Sequence, residues 1–493
     1  MTNPQPAMMT GNIPAAPFSR AALQGQTFSA RLVAFHRALA GQDWPVRAPG
    51  CAFIRDQDGL PFTAPFDVDI ACPASQTEAF TAAFEECARA NGITTVIRRH
   101  SGGLVCAAFD VVREPGARTW AYYEVFNRIR LTRSRTVEAD EIGVVHAAGT
   151  LPMPTTGWRF LLEFTQAVRR DRMDRARERL ETLRLDDPDA IAFTARELGL
   201  AETDVAGALA PGADTAALRS RADILPHGGN KAPQPAGFRD RLRAWLFPRA
   251  YFAQIGNPCL YTIHGPDGVG KTTACRLVSE MFAQYPIGFA SQHHVTGWKE
   301  KPSDAPAPPK AAAPRRPLPR RVVSAAYRNA PSIVRRTWYT MSGYHRYSRN
   351  VMAMVYRYYV EGRVILVDRY IYDMWVKPYV TADKDELLPG IGARMCRLLR
   401  RPRLAFVLND TPLAIHGRKQ ELSVEEIAAF QNAMDEILTR CDVRTNRIDV
   451  GGLGPDAVAA RIVTGILENL GDEVLNVMRD FIQRQDKAPA TAS

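Results

Sequence analysis

Apolar residues along this chain change their spacing twice, and the changes divide it. From about 44 to 148, short β-prone runs at Cys51–Arg55, Phe66–Ala71, Leu104–Val112 and Tyr122–Leu131 surround one stretch of helical character, Gln76–Asn91. That pattern predicts a small α+β domain. From about 155 the period lengthens. Leu161, Phe164, Val168, Ala176, Leu180 and Leu183 recur at helical spacing among Arg and Glu, which predicts packed amphipathic helices. From about 256 onward, apolar strands alternate with helices in the β-α-β manner of a parallel sheet. The expected organisation is a flexible segment over 1–43, the α+β domain over 44–150 and a helical segment over 151–224. A linker and entry helix follow over 225–255, marked by Gly and Pro in 225–237, then an α/β domain over 256–485 and a tail over 486–493.

Composition narrows the class. The 493 residues are 46% hydrophobic and 23% charged, values of a multi-domain globular chain. No run approaches the roughly 18 apolar residues that a membrane-spanning helix needs. Met1 to Gln26 lacks the basic stretch and apolar block of a secretory leader. The eight cysteines are scattered without a C-x-x-C pair, so neither a disulfide framework nor a zinc site is expected, and a reducing, cytoplasmic setting fits. The formal charge of +11 suggests nucleic acid until its distribution is examined. Segment 301–321 holds seven prolines and six Lys or Arg against Asp304 alone. Such a stretch reads as a solvated loop or as an anion-attracting lid, and the charge therefore gives no nucleic-acid signature.

The chemistry concentrates after Leu260–His264, a β-prone run followed at once by Gly265-Pro-Asp-Gly-Val-Gly270-Lys271-Thr272. The spacing G-x-x-x-x-G-K-[ST] lets glycines wrap the backbone around a phosphate, with amide N–H groups and a helix N-terminus facing the negative charge. Lys271 would reach the terminal phosphates of ATP and the Thr272 hydroxyl would ligate Mg²⁺. Farther on, Val364–Val367 ends at Asp368-Arg369-Tyr370. This puts a carboxylate on the ligand-binding rim of an open sheet and an arginine beside it. A third apolar strand, Leu404–Leu408, leads through Asn409 and Asp410 to Arg418-Lys419-Gln-Glu421-Leu422. Two adjacent cations there stand just before a helix opened by Ser423 and Glu426.

These three elements, in this order, resemble the thymidylate kinase family, in the form fused to an N-terminal nucleotidyltransferase-like domain. The resemblance covers about 256–470 and implies a P-loop NTPase fold with ATP and Mg²⁺. It implies transfer of the γ-phosphoryl group to a small-molecule acceptor, a nucleoside monophosphate such as dTMP. In that family the acidic residue within the loop contacts the acceptor sugar, a position matched by Asp267. Asp368 and Arg369 match the pair that organises the acceptor phosphate and metal, with Tyr370 adjoining them. Arg418, with Lys419 beside it, is nearest to the lid cation. The implied ATP-binding set is Gly265, Asp267, Gly268, Gly270, Lys271, Thr272, Thr273 and Lys419, with Thr272 and Asp368 as Mg²⁺ ligands. The chain departs from the family where the acceptor should bind, because the basic proline-rich segment stands there. Trp338–Tyr359 is rich in Tyr and Arg. Tyr347, Val351, Met354 and Tyr358 lie on one helical face, whereas Tyr344 and Arg346 fall off it and are the better ligand candidates.

In the amino-terminal half, Asp67 and Asp69 alternate on one strand and so share a face. With Glu124 they could form a second metal site for nucleotidyl transfer. Cys51-Ala-Phe-Ile-Arg55, Gly59-Leu-Pro61 and Asp67-Val-Asp69-Ile are similar to the opening of nucleotidyltransferase-like domains, but Ala64-Pro65 replaces the Gly-Ser of that family. Other functions remain in play: a kinase of sugar or glycan intermediates, a nucleotidyltransferase using Asp67 and Asp69, and an ATP-dependent switch or binding protein. A homodimer is left open.

Overall fold

A computed structural model of the chain describes residues 26–55, 67–146, 151–224, 260–293, 364–373, 376 and 401–487. Tyr344, Arg346, Ala64-Pro65, the 225–255 linker and the 301–321 segment lie outside the described residues. The chain divides into two compact units. Unit 1 is Met1–Gln234 with Ala283–Ile287 and Leu470–Ser493, and unit 2 is Pro235–Phe282 with Gly288–Asn469.

Unit 1 opens with helices α1 (Ala30–Ala40) and α2 (Trp44–Arg47). Its strands β1 (Ala52–Arg55), β2 (Val68–Ala71), β3 (Thr94–His100), β4 (Gly103–Phe109) and β5 (Trp120–Phe126) form one sheet in the order β1-β2-β5-β4-β3. Only the β2–β5 pair is parallel. Helix α3 (Thr77–Ala90) lies between β2 and β3 in sequence, within one residue of the helix expected at Gln76–Asn91. Two-stranded pairs follow, β6 (Arg128–Arg130) with β7 (Thr136–Glu138) and β8 (Val144–Val145) with β9 (Met153–Pro154). Helices α4 (Thr156–Arg170), α5 (Met173–Asp186), α6 (Ala190–Leu198), α7 (Glu202–Ala208) and α8 (Thr215–Arg221) complete the helical segment.

Two cores sandwich this sheet. Leu32 and Phe35 of α1 and Phe80 and Phe84 of α3 pack with Tyr123 and Val125 of β5. Ala71 belongs to a second core with Leu161, Phe164, Val168, Leu180 and Leu183, the helical stripe legible in the sequence. Helix α1 corrects one expectation, because it occupies a segment read as flexible. Ser29 caps it by accepting from the Leu32 amide, and Leu32, Phe35, His36 and Leu39 bury one face.

Unit 2 is built on a five-stranded, all-parallel sheet flanked by helices, as the alternation of strands and helices predicts. Strands β10 (Leu260–His264), β11 (Phe289–His293), β12 (Val364–Asp368), β13 (Leu404–Asn409) and β14 (Thr445–Asp449) take the order β11-β12-β10-β13-β14. Strand β10 is central, and β10, β12 and β13 are apolar and almost wholly buried, as strands covered on both faces must be. Its described helices are α9 (Lys271–Phe282), α10 (Pro412–Arg418), α11 (Val424–Arg440) and α12 (Pro455–Leu470). The reciprocal capping box of Ser423 and Glu426 opens α11.

The last helix, α13 (Asp472–Lys487), follows the second unit in sequence but groups with unit 1. Arg98 of β3 donates to Asn476 at 3.0 Å, and the rings of Trp120 and Phe481 meet edge to face at 6.0 Å. Among the described residues no helix is long and apolar enough to cross a membrane.

Candidate functional site

Strand β10 delivers the chain to the carboxyl edge of the unit 2 sheet, where the loop Gly265–Gly270 turns into α9. Two glycines are required by geometry there. Gly265 has φ +145°, and a Cβ on it would lie 2.6 Å from the Leu408 carbonyl oxygen of β13. Gly268 has φ +93°, and its Cβ would meet the Cβ of Lys419 at 2.9 Å. The loop is therefore pressed between β13 and the segment after α10, and a side chain at either position would force it open.

Lys271, the first residue of α9, folds back over this loop. Its Nζ donates to the carbonyls of Gly265 at 2.7 Å and Pro266 at 2.8 Å and stands 3.4 Å from Asp267 Oδ1. The Lys271 side chain is 5% exposed. Burial pushes its pKa below the ordinary value, with the like charge of Arg369 adding to this, while Asp267, Asp373 and Asp368 pull the other way. Thr272 and Thr273 follow it and are exposed on the first turn of α9.

The neighbouring strand brings the second element. Asp368 ends β12 in register with Ile263 of β10 and is 1% exposed. Arg369 then turns the chain with φ +64°, a left-handed conformation unusual outside glycine, and pairs with the Asp267 carboxylate. Burial alone would raise the pKa of Asp267, but Lys271, Arg369 and Lys419 outweigh it and hold this carboxyl below the ordinary range. The loop, the Asp-Arg pair and Lys419 thus form one electrostatic cluster.

The structure sorts the remaining sequence candidates. Arg418 pairs with Asp410 and donates from Nε to the Ala414 carbonyl at 3.3 Å, while Lys419 sets its Cβ against Gly268 of the loop, with its ammonium 3.2 Å from Glu421. Tyr370 is buried, its ring 5.3 Å from that of Tyr372, and so packs into the core. Sequence reasoning missed a pair directly beneath the loop. The buried His264 bonds Asp373 through Nδ1 at 2.7 Å and Thr262 through Nε2 at 2.9 Å. The first ties the last residue of β10 to the turn after Asp368, 109 residues away in sequence, so local pattern carried no signal for it.

At Gly270, just before the N-terminal turn of α9, an added Cβ would meet nothing within 4 Å, so the loop borders open space where a helix N-terminus favours an anion. The Thr272 hydroxyl and Asp368 carboxylate are donors of the kind Mg²⁺ takes with phosphate oxygens.

In unit 1, Asp69 is in register with Glu124 across the parallel β2–β5 pair, so both face the same side of the sheet as Asp67. Both aspartates are buried, at 8% and 6% exposure. Glu124, however, lies 3.3 Å from Arg479 Nε of α13 and accepts from the Tyr122 hydroxyl at 3.3 Å. Among the described residues no group of three or more His, Cys, Asp or Glu side chains is arranged to hold a metal. Of the three carboxylates expected to share a second metal, the third is thus engaged by an arginine.

Neither a scan of protein-family models nor a search of curated proteins gives a match. Among solved structures, the chain is similar to a thymidylate kinase from Ehrlichia chaffeensis, at 13% identity, covering 43% of this chain and 100% of that one with a TM-score of 0.25. Likeness that slight does not bear on function, which rests on the residues of the site.

Proposed function

We propose that unit 2 is an ATP-dependent phosphotransferase that moves a γ-phosphoryl group to a small acceptor, a nucleoside monophosphate. The observation that carries this reading is the placement of Lys271 Nζ within the Gly265–Gly270 loop at the end of the central strand, beside Asp368 on the adjacent strand. A phosphate entering the loop would take over the charge now neutralised by loop carbonyls and Asp267. Lys271 would then follow the phosphate oxygens, and Arg369 would exchange Asp267 for the transferring group. An acceptor oxygen attacks the γ-phosphorus as its bond to ADP breaks. The protein's part is positioning and charge neutralisation rather than covalent chemistry. Mg²⁺, held by Thr272 and Asp368, would add charge neutralisation at the phosphates. The nucleoside monophosphate follows from the sequence resemblance, with Asp267 as the residue that would face its sugar. The nucleotidyltransferase reading is the weaker one, since Arg479 engages Glu124.

The test is an acceptor screen with purified full-length protein, ATP and Mg²⁺, read by ADP release. Release stimulated by a nucleoside monophosphate supports the reading. Stimulation only by a sugar would move the acceptor class, and no stimulation by any acceptor would overturn the transferase.

A further inference from the structure

Unit 1 contains a cavity of about 320 Å³ between the sheet face that carries Asp69 and helix α4. Its volume lies at the small end of ligand sites, room for a compact metabolite rather than a whole dinucleotide. Its chemistry is unlike that of the carboxylate site expected from the sequence. Arg128 and Arg130 of β6 and Arg169 at the end of α4 line it, against Asp69 and Glu163. Glu163 already has Arg179 at 3.6 Å. Arg169 spends its Nη2 on the carbonyls of Arg130 and Leu131, which leaves its full charge uncompensated by any carboxylate among its hydrogen bonds.

Among the described residues Arg130 likewise donates only to carbonyls, of Thr132 at 3.2 Å and Arg133 at 3.0 Å. Three guanidinium groups around one cavity call for an anion with several acceptor oxygens, and Arg is the side chain best matched to phosphate. The Gln166 amide and the Asp69 carboxylate on the same lining call for hydroxyl groups. Phe126, Ile54 and Leu162 supply an apolar wall for the carbon skeleton.

We propose that this cavity binds a small phosphorylated sugar or polyol without a divalent metal, its phosphate held by Arg128, Arg130 and Arg169 and its hydroxyls by Gln166 and Asp69. The site is separate from the loop of unit 2 and does not depend on phosphoryl transfer there.

Calorimetric titration of the full-length protein in EDTA, with ribose 5-phosphate, ribose and inorganic phosphate as probes, tests it. Ribose 5-phosphate should bind at least about tenfold more tightly than either fragment. Arg128 is exposed and its substitution spares the core, so Arg128→Glu should weaken binding about tenfold or more with an unchanged melting temperature, and Arg128→Gln should weaken it less. Lys271→Ala should leave this binding intact. The proposal is overturned if no probe binds, if phosphate alone binds as tightly, if Mg²⁺ is required, or if affinity follows Lys271 instead of Arg128.

Discussion

Both units place carboxylates on a strand beside a parallel neighbour, and the surroundings of those carboxylates give them different capacities. In unit 2, Asp368 ends β12 next to β10, whose end runs into a glycine loop, a buried lysine and the free first turn of α9. In unit 1, Asp69 lies on β2 next to β5, whose Glu124 is met by Arg479 from α13, and three arginines line the adjoining cavity. One arrangement combines a glycine loop, a buried lysine and a carboxylate, the set proposed above to receive a phosphate with its metal. The other offers fixed positive charge without an assembled carboxylate cluster. A carboxylate pair on a strand is therefore a poor guide to chemistry until the cations around it are known.

The largest effect that would break this comparison is in unit 2. Lys271→Ala should cut acceptor-dependent ADP release by about 10²–10³ or more, the scale of losing one preorganised charge from a developing transition state. Release near the wild-type rate would remove the loop from the mechanism.

A smaller effect sharpens the contrast in unit 1. His36 is buried against Phe28 and Phe35, with Nδ1 bonded to the Leu32 carbonyl at 2.8 Å and Nε2 to the Tyr123 hydroxyl at 2.6 Å. Burial lowers its pKa from 6.5 to about 4, against the raising influence of the Leu32 carbonyl. The unfolded chain then binds a proton at His36 between those values while the folded chain does not. Stability is full above about pH 6.5, falls as pH drops, and levels off near pH 4, a loss of about 3 kcal/mol. Protection of the α1 and β5 amides against hydrogen exchange, taken relative to the intrinsic rate at each pH, should fall as pH drops across that window and hold level in His36→Gln. Protection that does not change with pH in the wild type would refute the assignment.

Much of this was legible in the sequence. The loop could be read because its glycines and lysine answer to local demands, glycine at positive φ and lysine at a fixed distance along the chain. The stripe Leu161 to Leu183 was equally plain, since packing follows period. Helix α1 carried the right signals, Ser29 as its cap and Leu32, Phe35 and Leu39 at helical spacing, but the Pro- and Ala-rich text before it obscured them. Strand β3 was missed because Thr94, Thr95, Arg98 and Arg99 of this edge strand lack a buried run. The Arg479–Glu124 contact and the His264–Asp373 bond were beyond reach for another reason. Each joins residues far apart in the chain, which local pattern does not encode.

The central claim is that phosphoryl transfer belongs to the unit 2 site and not to the carboxylates of unit 1. Its most direct measurement compares two full-length variants in one assay of acceptor-dependent ADP release. Asp368→Asn keeps the size of the side chain and removes its charge, and the rate should fall steeply. The double change Asp67→Asn and Asp69→Asn should leave the rate within about a few-fold of wild type, as expected for groups that do not touch the transferring phosphate. Equal losses, or a larger loss from the double change, would contradict the account and move the chemistry to unit 1.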